Sequence, residues 1–177
     1  APPIRRIHLV AQRNAAEVLA WTRAQPISAQ APDQLRITAD LREVLANERI
    51  EAAFVAKMAA EHYRATKLLL EAGKHVLVEK PFVLRAEEAR ELTELADRRG
   101  RTLVVGYEYL LAPFLHRFAQ VVRRRAPEIA EIELVWDEPA GTRTHGLAKQ
   151  PDWSSTIITN VYPHALSQLM ALLGAQP

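Results

Sequence analysis

One segment constrains the fold of this chain more than any other, the apolar run His75–Glu79 that is followed by Lys80 and Pro81. A run of this length, entered through a glycine and stopped by a proline, is typical of a central strand in a parallel sheet. Open α/β sheets bind ligands at the carboxyl ends of their strands, where Glu79 and Lys80 stand. A lysine there is a candidate acid or base. The alternative is a solvated charge pair that only marks the end of the strand.

The rest of the chain up to residue 126 alternates strand-like and helix-like segments. Short connections between such segments predict βαβ units and a doubly wound parallel sheet, which is an α/β fold. Strands are expected at residues 7–11, 35–38, 50–56, 75–79 and 102–105, and helices at 15–24, 41–46, 59–72, 85–99 and 111–125, the last interrupted near Pro113.

The pattern changes after Pro127. Residues 129–136 alternate in part between apolar and polar side chains, which indicates a strand with one wet face. A long irregular stretch, 137–155, precedes an apolar helix at 159–173. We therefore expect two domains: a Rossmann-like nucleotide-binding domain over residues 1–126, and the beginning of an α+β substrate or oligomerisation domain over residues 127–177.

Composition excludes several classes of function. The 177 residues include no cysteine, which rules out disulfides, zinc–thiolate sites and thiol catalysis. The net charge is +2 and the arginines are scattered, so we expect no nucleic-acid surface. No apolar run approaches membrane-spanning length and the first residues lack the apolar core of a signal peptide, which predicts no membrane association and a cytoplasmic location. The six histidines are dispersed, so no metal site is expected.

The segment from Glu61 to Pro81 resembles the Gfo/Idh/MocA oxidoreductases (glucose–fructose oxidoreductase, inositol dehydrogenase and relatives). The features shared with that family are a histidine early in a helix (His62), an Ala-Gly-Lys-His-Val turn and strand that starts at Ala72, and Glu-Lys-Pro at its end. The resemblance extends from Arg6 to Gly174. It implies an NAD(P)-dependent oxidoreductase that transfers a hydride between a nicotinamide and a carbon bearing a hydroxyl, carbonyl or imine.

One hallmark of dinucleotide binding does not occur in the sequence. None of the six glycines has the spacing of a Gly-x-Gly-x-x-Gly turn, the motif that holds the pyrophosphate. The first strand instead matches the family's second, so the chain resembles the family's middle portion, without its first βα unit and most of its C-terminal sheet. Either another segment or chain supplies the missing strand, or the sheet is rearranged, and a homo-oligomer or a complementing chain is the expected partner. A degenerate, non-catalytic binding or partner protein and a fragment of an active enzyme stay open as alternatives.

The resemblance assigns catalytic roles to three residues. Lys80 would lie by the nicotinamide and hydrogen-bond the reacting oxygen of a small-molecule substrate. His164 would be the general acid/base of the family's Asp-x-x-x-His motif, and Asn160 stands where that motif has aspartate. Asn160 and His164 are four residues apart, so they share one side of a helix. An amide can orient the ring through a hydrogen bond, but it cannot stabilise an imidazolium by charge.

The resemblance also suggests residues near the cofactor: His62, Glu79, Lys80 and Pro81. Where the family usually has Thr-Pro or Asn-Pro before that histidine, this chain has Lys57 and Met58, so a purely structural His62 is an equal alternative.

Cofactor preference is predicted from Gln12 and Arg13, which follow the strand that would end at the ribose. An acidic residue there selects NAD, whereas arginine accommodates a 2′-phosphate, so NADP is favoured over NAD. Weaker candidates for the substrate pocket are Tyr107, Tyr109, Lys149 and Asp152.

Overall fold

The computed structural model describes residues 7–10, 15–25, 35–125, 131–135, 143–144, 147–148 and 156–174. The chain divides into two compact units, residues 1–51 and residues 52–177. The predicted domain boundary at residues 126 and 127 lies outside the described residues and stays a prediction.

The first unit contains one parallel strand pair. Its elements are β1 (Ile7–Val10), α1 (Ala15–Arg23), β2 (Leu35–Thr38) and α2 (Leu41–Ala46). Ile7 lies opposite Leu35 in the ladder. Asp40 caps α2, because its carboxylate accepts a hydrogen bond from the Arg42 amide at 2.9 Å. The side chain of Arg42 binds the same carboxylate and holds the pKa of Asp40 below its usual value.

The second unit contains a three-stranded parallel sheet in the order β3-β4-β5. Its elements are β3 (Ala52–Val55), α3 (Ala59–Glu71), β4 (His75–Glu79), α4 (Ala86–Arg99) and β5 (Leu103–Gly106). The central position predicted for the apolar run is confirmed, because β4 pairs with β3 on one side and with β5 on the other. The carboxyl ends of the three strands therefore meet at one edge.

The two faces of this sheet differ. Val76 and Val78 of β4 are buried, on the side of the sheet where α3 packs against β3 and β4. On the opposite face, Phe54, Leu77 and Val104 stand side by side in register and are 57%, 40% and 47% exposed. The sequence predicts a sheet covered on both faces, and in the described residues only one face is covered in this way.

Helices α3 and α4 of the second unit are each followed by a glycine and are joined by a polar cluster. Gly73 follows α3 and Gly100 caps α4, with φ of 72° and 59°, in the left-handed region that glycine adopts without cost. Tyr63 donates a hydrogen bond to Glu91 at 2.7 Å, and the ammonium of Lys67 donates to the same carboxylate at 2.6 Å. These bonds raise the pKa of Lys67 and lower that of Glu91.

After β5 the chain forms a single 3₁₀ turn (Glu108–Leu111), then α5 (Pro113–Arg124) and α6 (Ile157–Leu173). The predicted interruption lies before Pro113, which occupies the first turn of α5, where a helix needs no amide proton. Leu115, Ala119 and Leu172 form the core between α5 and α6. None of the helices within the described ranges is long and apolar enough to cross a membrane.

The predicted strand at 129–136 is wrong for its described part. Residues 131–135 form no strand, and the other residues of that range lie outside the described part of the chain. Four of these five residues are exposed and none is paired in a ladder, so alternation alone does not produce a strand here. The stretch predicted to be irregular contains a short antiparallel pair, β6 (Arg143–Thr144) with β7 (Leu147–Ala148).

Candidate functional site

The site begins at the carboxyl end of β4. Glu79 lies opposite Gly106 of β5, and its carboxylate accepts a hydrogen bond from the Lys80 amide at 3.2 Å. A Cβ atom at Gly106 would lie 3.4 Å from the Val78 carbonyl oxygen and 3.7 Å from the carboxyl carbon of Glu79. Both distances are ordinary van der Waals contacts, so Gly106 is a close neighbour of this carboxylate. The peptide bond that follows, between Lys80 and Pro81, is cis.

The ring of His62 lies between the segment that follows β3 and the segment that follows β4. Its ring is buried, with Nδ1 2.8 Å from the carbonyl oxygen of Pro81 and Nε2 2.9 Å from that of Lys57. A neutral imidazole donates to one of these oxygens, and a doubly protonated ring donates to both. The ring therefore joins the residue after Lys80 to the segment after β3. Both nitrogens face the backbone, and the contact of His62 with a cofactor stays a prediction.

His164 reaches the same site from α6. Its side chain is 8% exposed, and its Nε2 lies 3.8 Å from Oε1 of Glu108 in the 3₁₀ turn. The ring of Tyr109 meets the imidazole edge-on, with 5.2 Å between centroids and an angle of 82° between planes. Packing of α6 against the 3₁₀ turn places these three side chains together.

Charges at the end of β4 and in the 3₁₀ turn act on His164. Burial is the main cause that lowers the pKa of His164, and the positive charge of Lys80 lowers it further. The carboxylates of Glu108 and Glu79 act in the opposite direction. The net shift favours a neutral imidazole, which can accept a proton. Lys80 and His164, two of the three predicted catalytic residues, are therefore brought within electrostatic reach of each other.

Tyr107 adds a phenol next to this edge. It follows the last residue of β5 and is half-buried, and burial raises its pKa above the usual value near 10. The phenol keeps its proton at neutral pH and can donate a hydrogen bond.

The remaining predicted site residues are placed less completely. Asn160 lies one helical turn before His164 in α6, and nothing is described of its side chain. Gln12, Arg13, Lys149 and Asp152 lie outside the described residues. No group of three histidine, aspartate or glutamate side chains in the described ranges could hold a metal ion.

Two residues of the site were missed by the sequence analysis, Gly106 and Glu108. The sequence carried one usable signal for them, because both stand just after an apolar strand, where parallel sheets bind their ligands. Nothing in the sequence indicated that Glu108 would meet His164, which comes from a distant helix.

Comparison with known proteins shows which family of proteins the chain is similar to. A model of an oxidoreductase family with an NAD-binding Rossmann fold (GFO_IDH_MocA) matches residues 6–107. The uncharacterized oxidoreductase YhhX of Escherichia coli is 32% identical over 151 residues, which cover 82% of this chain and 42% of that protein. The chain spans less than half the length of the curated relatives it matches.

Solved structures agree with this assignment. The crystal structure of the probable oxidoreductase yhhX has a TM-score of 0.71 at 25% identity and covers 94% of this chain, 45% of that one. GenD2 from gentamicin A biosynthesis, in complex with NAD, has a TM-score of 0.67 at 24% identity and covers 99% of this chain, 56% of that one. KijD10, a 3-ketoreductase from Actinomadura kijaniata in complex with NADP and TDP-benzene, has a TM-score of 0.56 at 23% identity, with coverages of 67% and 31%. The latter two show the fold alone, and the predicted α/β Rossmann-like fold is confirmed.

Proposed function

Because this chain belongs to the Gfo/Idh/MocA oxidoreductase family, we propose that it takes part in NAD(P)-dependent oxidation of a hydroxyl-bearing carbon, or in reduction of the corresponding carbonyl or imine. One observation carries the proposal. Lys80, at the carboxyl end of the central strand, acts electrostatically on His164, a buried imidazole whose pKa is lowered. A neutral base can take a proton from a substrate oxygen, and a cation in the same site can stabilise the negative charge that develops there.

Each residue has a distinct role in this proposal. The Lys80 ammonium would hydrogen-bond the substrate's reacting oxygen and stabilise negative charge on it. His164 would accept the proton of the hydroxyl during oxidation and return it during reduction. Glu79 binds the Lys80 amide, and His62 binds the Pro81 carbonyl, so both hold the lysine in place from either side along the chain.

The residues at the edge of the sheet suit a nicotinamide cofactor, which when bound exchanges a hydride with the substrate carbon. Parallel strands end side by side there, and Lys80, His164 and Tyr107 offer a cation, a base and a hydrogen-bond donor. The glycine-rich turn that holds the pyrophosphate in such folds is not among the 177 residues.

Several finer points belong to the proposal. NADP is favoured over NAD because Arg13, and no acidic residue, follows the first strand. A small hydroxyl- or carbonyl-bearing molecule would be the substrate, and a second copy or a complementing chain would be the macromolecular partner. The cytoplasm would be the location.

The test is a titration of the 177-residue chain with NADPH and NADH by calorimetry, followed by a turnover screen with polyols, sugars and imines. We expect tighter binding of NADPH, and we expect Arg13→Glu to reverse that preference. Lys80→Ala should lower turnover about 100-fold or more while leaving cofactor affinity within a few-fold. Arg99→Ala is the matched control, since Arg99 is an exposed cation at the end of α4, remote from the carboxyl edge.

Folding of each variant is checked by circular dichroism. A folded wild-type chain that binds neither cofactor would overturn the proposal. Equal turnover of Lys80→Ala and the wild type would show that Lys80 takes no part in the reaction.

A further inference from the structure

The carboxylate of Glu108 has no role in the function proposed above, although it lies beside the base. Glu108 opens the 3₁₀ turn after β5, between Tyr107 and Tyr109. Its Oε1 is 3.8 Å from Nε2 of His164, and its side chain is 59% exposed. Glu108 therefore reaches from the solvent boundary to a ring that is almost completely buried.

His164 must take up a proton in an environment that opposes this uptake. Burial and the neighbouring Lys80 cation both disfavour the imidazolium. The residue one helical turn earlier, Asn160, carries an amide without charge, so it cannot supply the compensating negative charge. That charge has to come from another element of the fold.

The charged groups that act on His164 come from two elements. The end of β4 contributes Lys80 and Glu79, and the 3₁₀ turn contributes Glu108, which raises the pKa of His164 more than Glu79 does. From α5, which also packs on α6, Arg123 reaches the far end of α6, where its guanidinium donates to the carbonyl of Ala171. Glu108 is thus the main counter-charge to Lys80 among the described residues.

The 3₁₀ turn also controls the orientation of the imidazole. Tyr109, the next residue, packs edge-on against the ring. The turn is closed by hydrogen bonds from the Leu110 amide to the Tyr107 carbonyl at 2.9 Å and from the Ala112 amide to the Tyr109 carbonyl at 3.0 Å. The same turn therefore packs Tyr109 against the ring and presents the carboxylate of Glu108 to its Nε2.

We propose that Glu108 is a positioning residue that pairs with His164 and stabilises the imidazolium formed when His164 takes the proton of the substrate hydroxyl. In oxidation the O–H bond of the substrate would break as an N–H bond forms on His164, while the hydride on the same carbon would pass to the nicotinamide cofactor. In reduction a hydride would be added to the carbonyl carbon, and His164 would return its proton to the oxygen. This proposal rests on the proposed function for its catalytic part. The pairing itself can be measured without turnover.

The first experiment is an NMR titration of the ring protons of His164 in the full chain, in wild type and three variants. In Glu108→Gln the pKa of His164 should fall further, because the carboxylate that favours the imidazolium has been replaced by an isosteric amide. Glu108→Asp should keep part of the effect, since the charge stays but sits farther away. Glu94→Gln is the matched control: Glu94 is an exposed glutamate of α4 that pairs with Arg98.

The second experiment measures the pH profile of turnover in the direction of oxidation. In Glu108→Gln the acidic limb should move to lower pH, because His164 stays neutral to lower pH. The rate on the plateau should fall about fivefold, the size expected for losing one charge about 4 Å away in water. If the role of Glu108 were purely structural, Glu108→Gln would shift neither the acidic nor the basic limb of the pH profile.

The outcomes separate the two proposals. An unchanged titration of His164 in Glu108→Gln overturns the pairing, whatever the activity. A shifted titration with an unshifted pH profile overturns the role in proton transfer. A wild-type chain without turnover refutes the proposed function and this catalytic role, and the titration still decides whether the two side chains form a pair.

Discussion

His62 is the residue whose loss should weaken the site most without touching its chemistry. The two nitrogens of its buried ring lie 2.8 and 2.9 Å from the carbonyl oxygens of Pro81 and Lys57. His62→Ala would leave a cavity and two carbonyls without this partner, so we expect a loss of about 2–4 kcal/mol in the free energy of unfolding, measured with urea. His116→Ala is the control, since His116 is exposed on α5 and its loss should change stability by less than about 0.5 kcal/mol. Equal effects of the two substitutions would contradict the bridging role.

His164 should make folding stability depend on pH. Its pKa in the folded chain lies below the ordinary value near 6.5, so the unfolded chain binds the proton first as pH falls. Between that ordinary value and the lower folded value, stability drops with falling pH. When the pH is lowered from about 7.5 to about 5, we expect His164→Gln to lose less stability than the wild type, as measured by thermal unfolding. Parallel curves of stability against pH for the two proteins would show that folding does not lower the pKa of His164.

The residues of the site differ in how well the sequence predicts them. Glu79 and Lys80 follow from an apolar run with a proline at its end, a local pattern that also fixes the sheet edge. The resemblance to the family points to His164. Glu108 could not be found in this way, because its partner comes from a distant helix and side-chain pairing across elements leaves no periodic signal.

At the scale of elements, Gly100 tests how α4 ends. Its φ of 59° is left-handed, and an added Cβ would meet no atom within 4 Å, so only backbone strain opposes a side chain. Gly100→Ala should therefore lower the free energy of unfolding by about 1 kcal/mol, measured with urea. Gly100→Asn should cost less, because asparagine tolerates this conformation. A neutral Gly100→Ala would mean that α4 ends in another way.

The elements with capping signals were predicted closely, and those that depend on distant partners were not. Asp40 and Gly100 mark the ends of α2 and α4 in the sequence as well as in the structure. The strand expected at 129–136 had only partial alternation to support it. A strand also needs a neighbour to receive its backbone hydrogen bonds, and the pattern of one segment says nothing about that neighbour.

At the scale of the whole molecule, the half-exposed row Phe54, Leu77 and Val104 should make the chain bind apolar dyes. Residues opposite each other on adjacent strands lie about 5 Å apart, so these three side chains form a continuous patch. Leu77→Thr, in the middle of the row, should lower the fluorescence of bound 1-anilinonaphthalene-8-sulfonate. Leu84→Thr is the matched control, because Leu84 is similarly exposed, at 43%, but lies outside the strands. Equal fluorescence of both variants would argue against a patch.

The central position of β4 has a consequence for how the site comes apart. Strands β3 and β5 each share one ladder with β4 within this three-stranded sheet, whereas β4 has a ladder on both sides. When the native state opens by partial unfolding, β4 should thus be the last strand of the three to release its amides to solvent. Lys80 follows directly on this most persistent strand, while His164 depends on the packing of α6. Partial opening would therefore separate His164 from Lys80 while β4 is still paired with its neighbours. The proton transfer that needs both residues would be lost before the sheet unfolds.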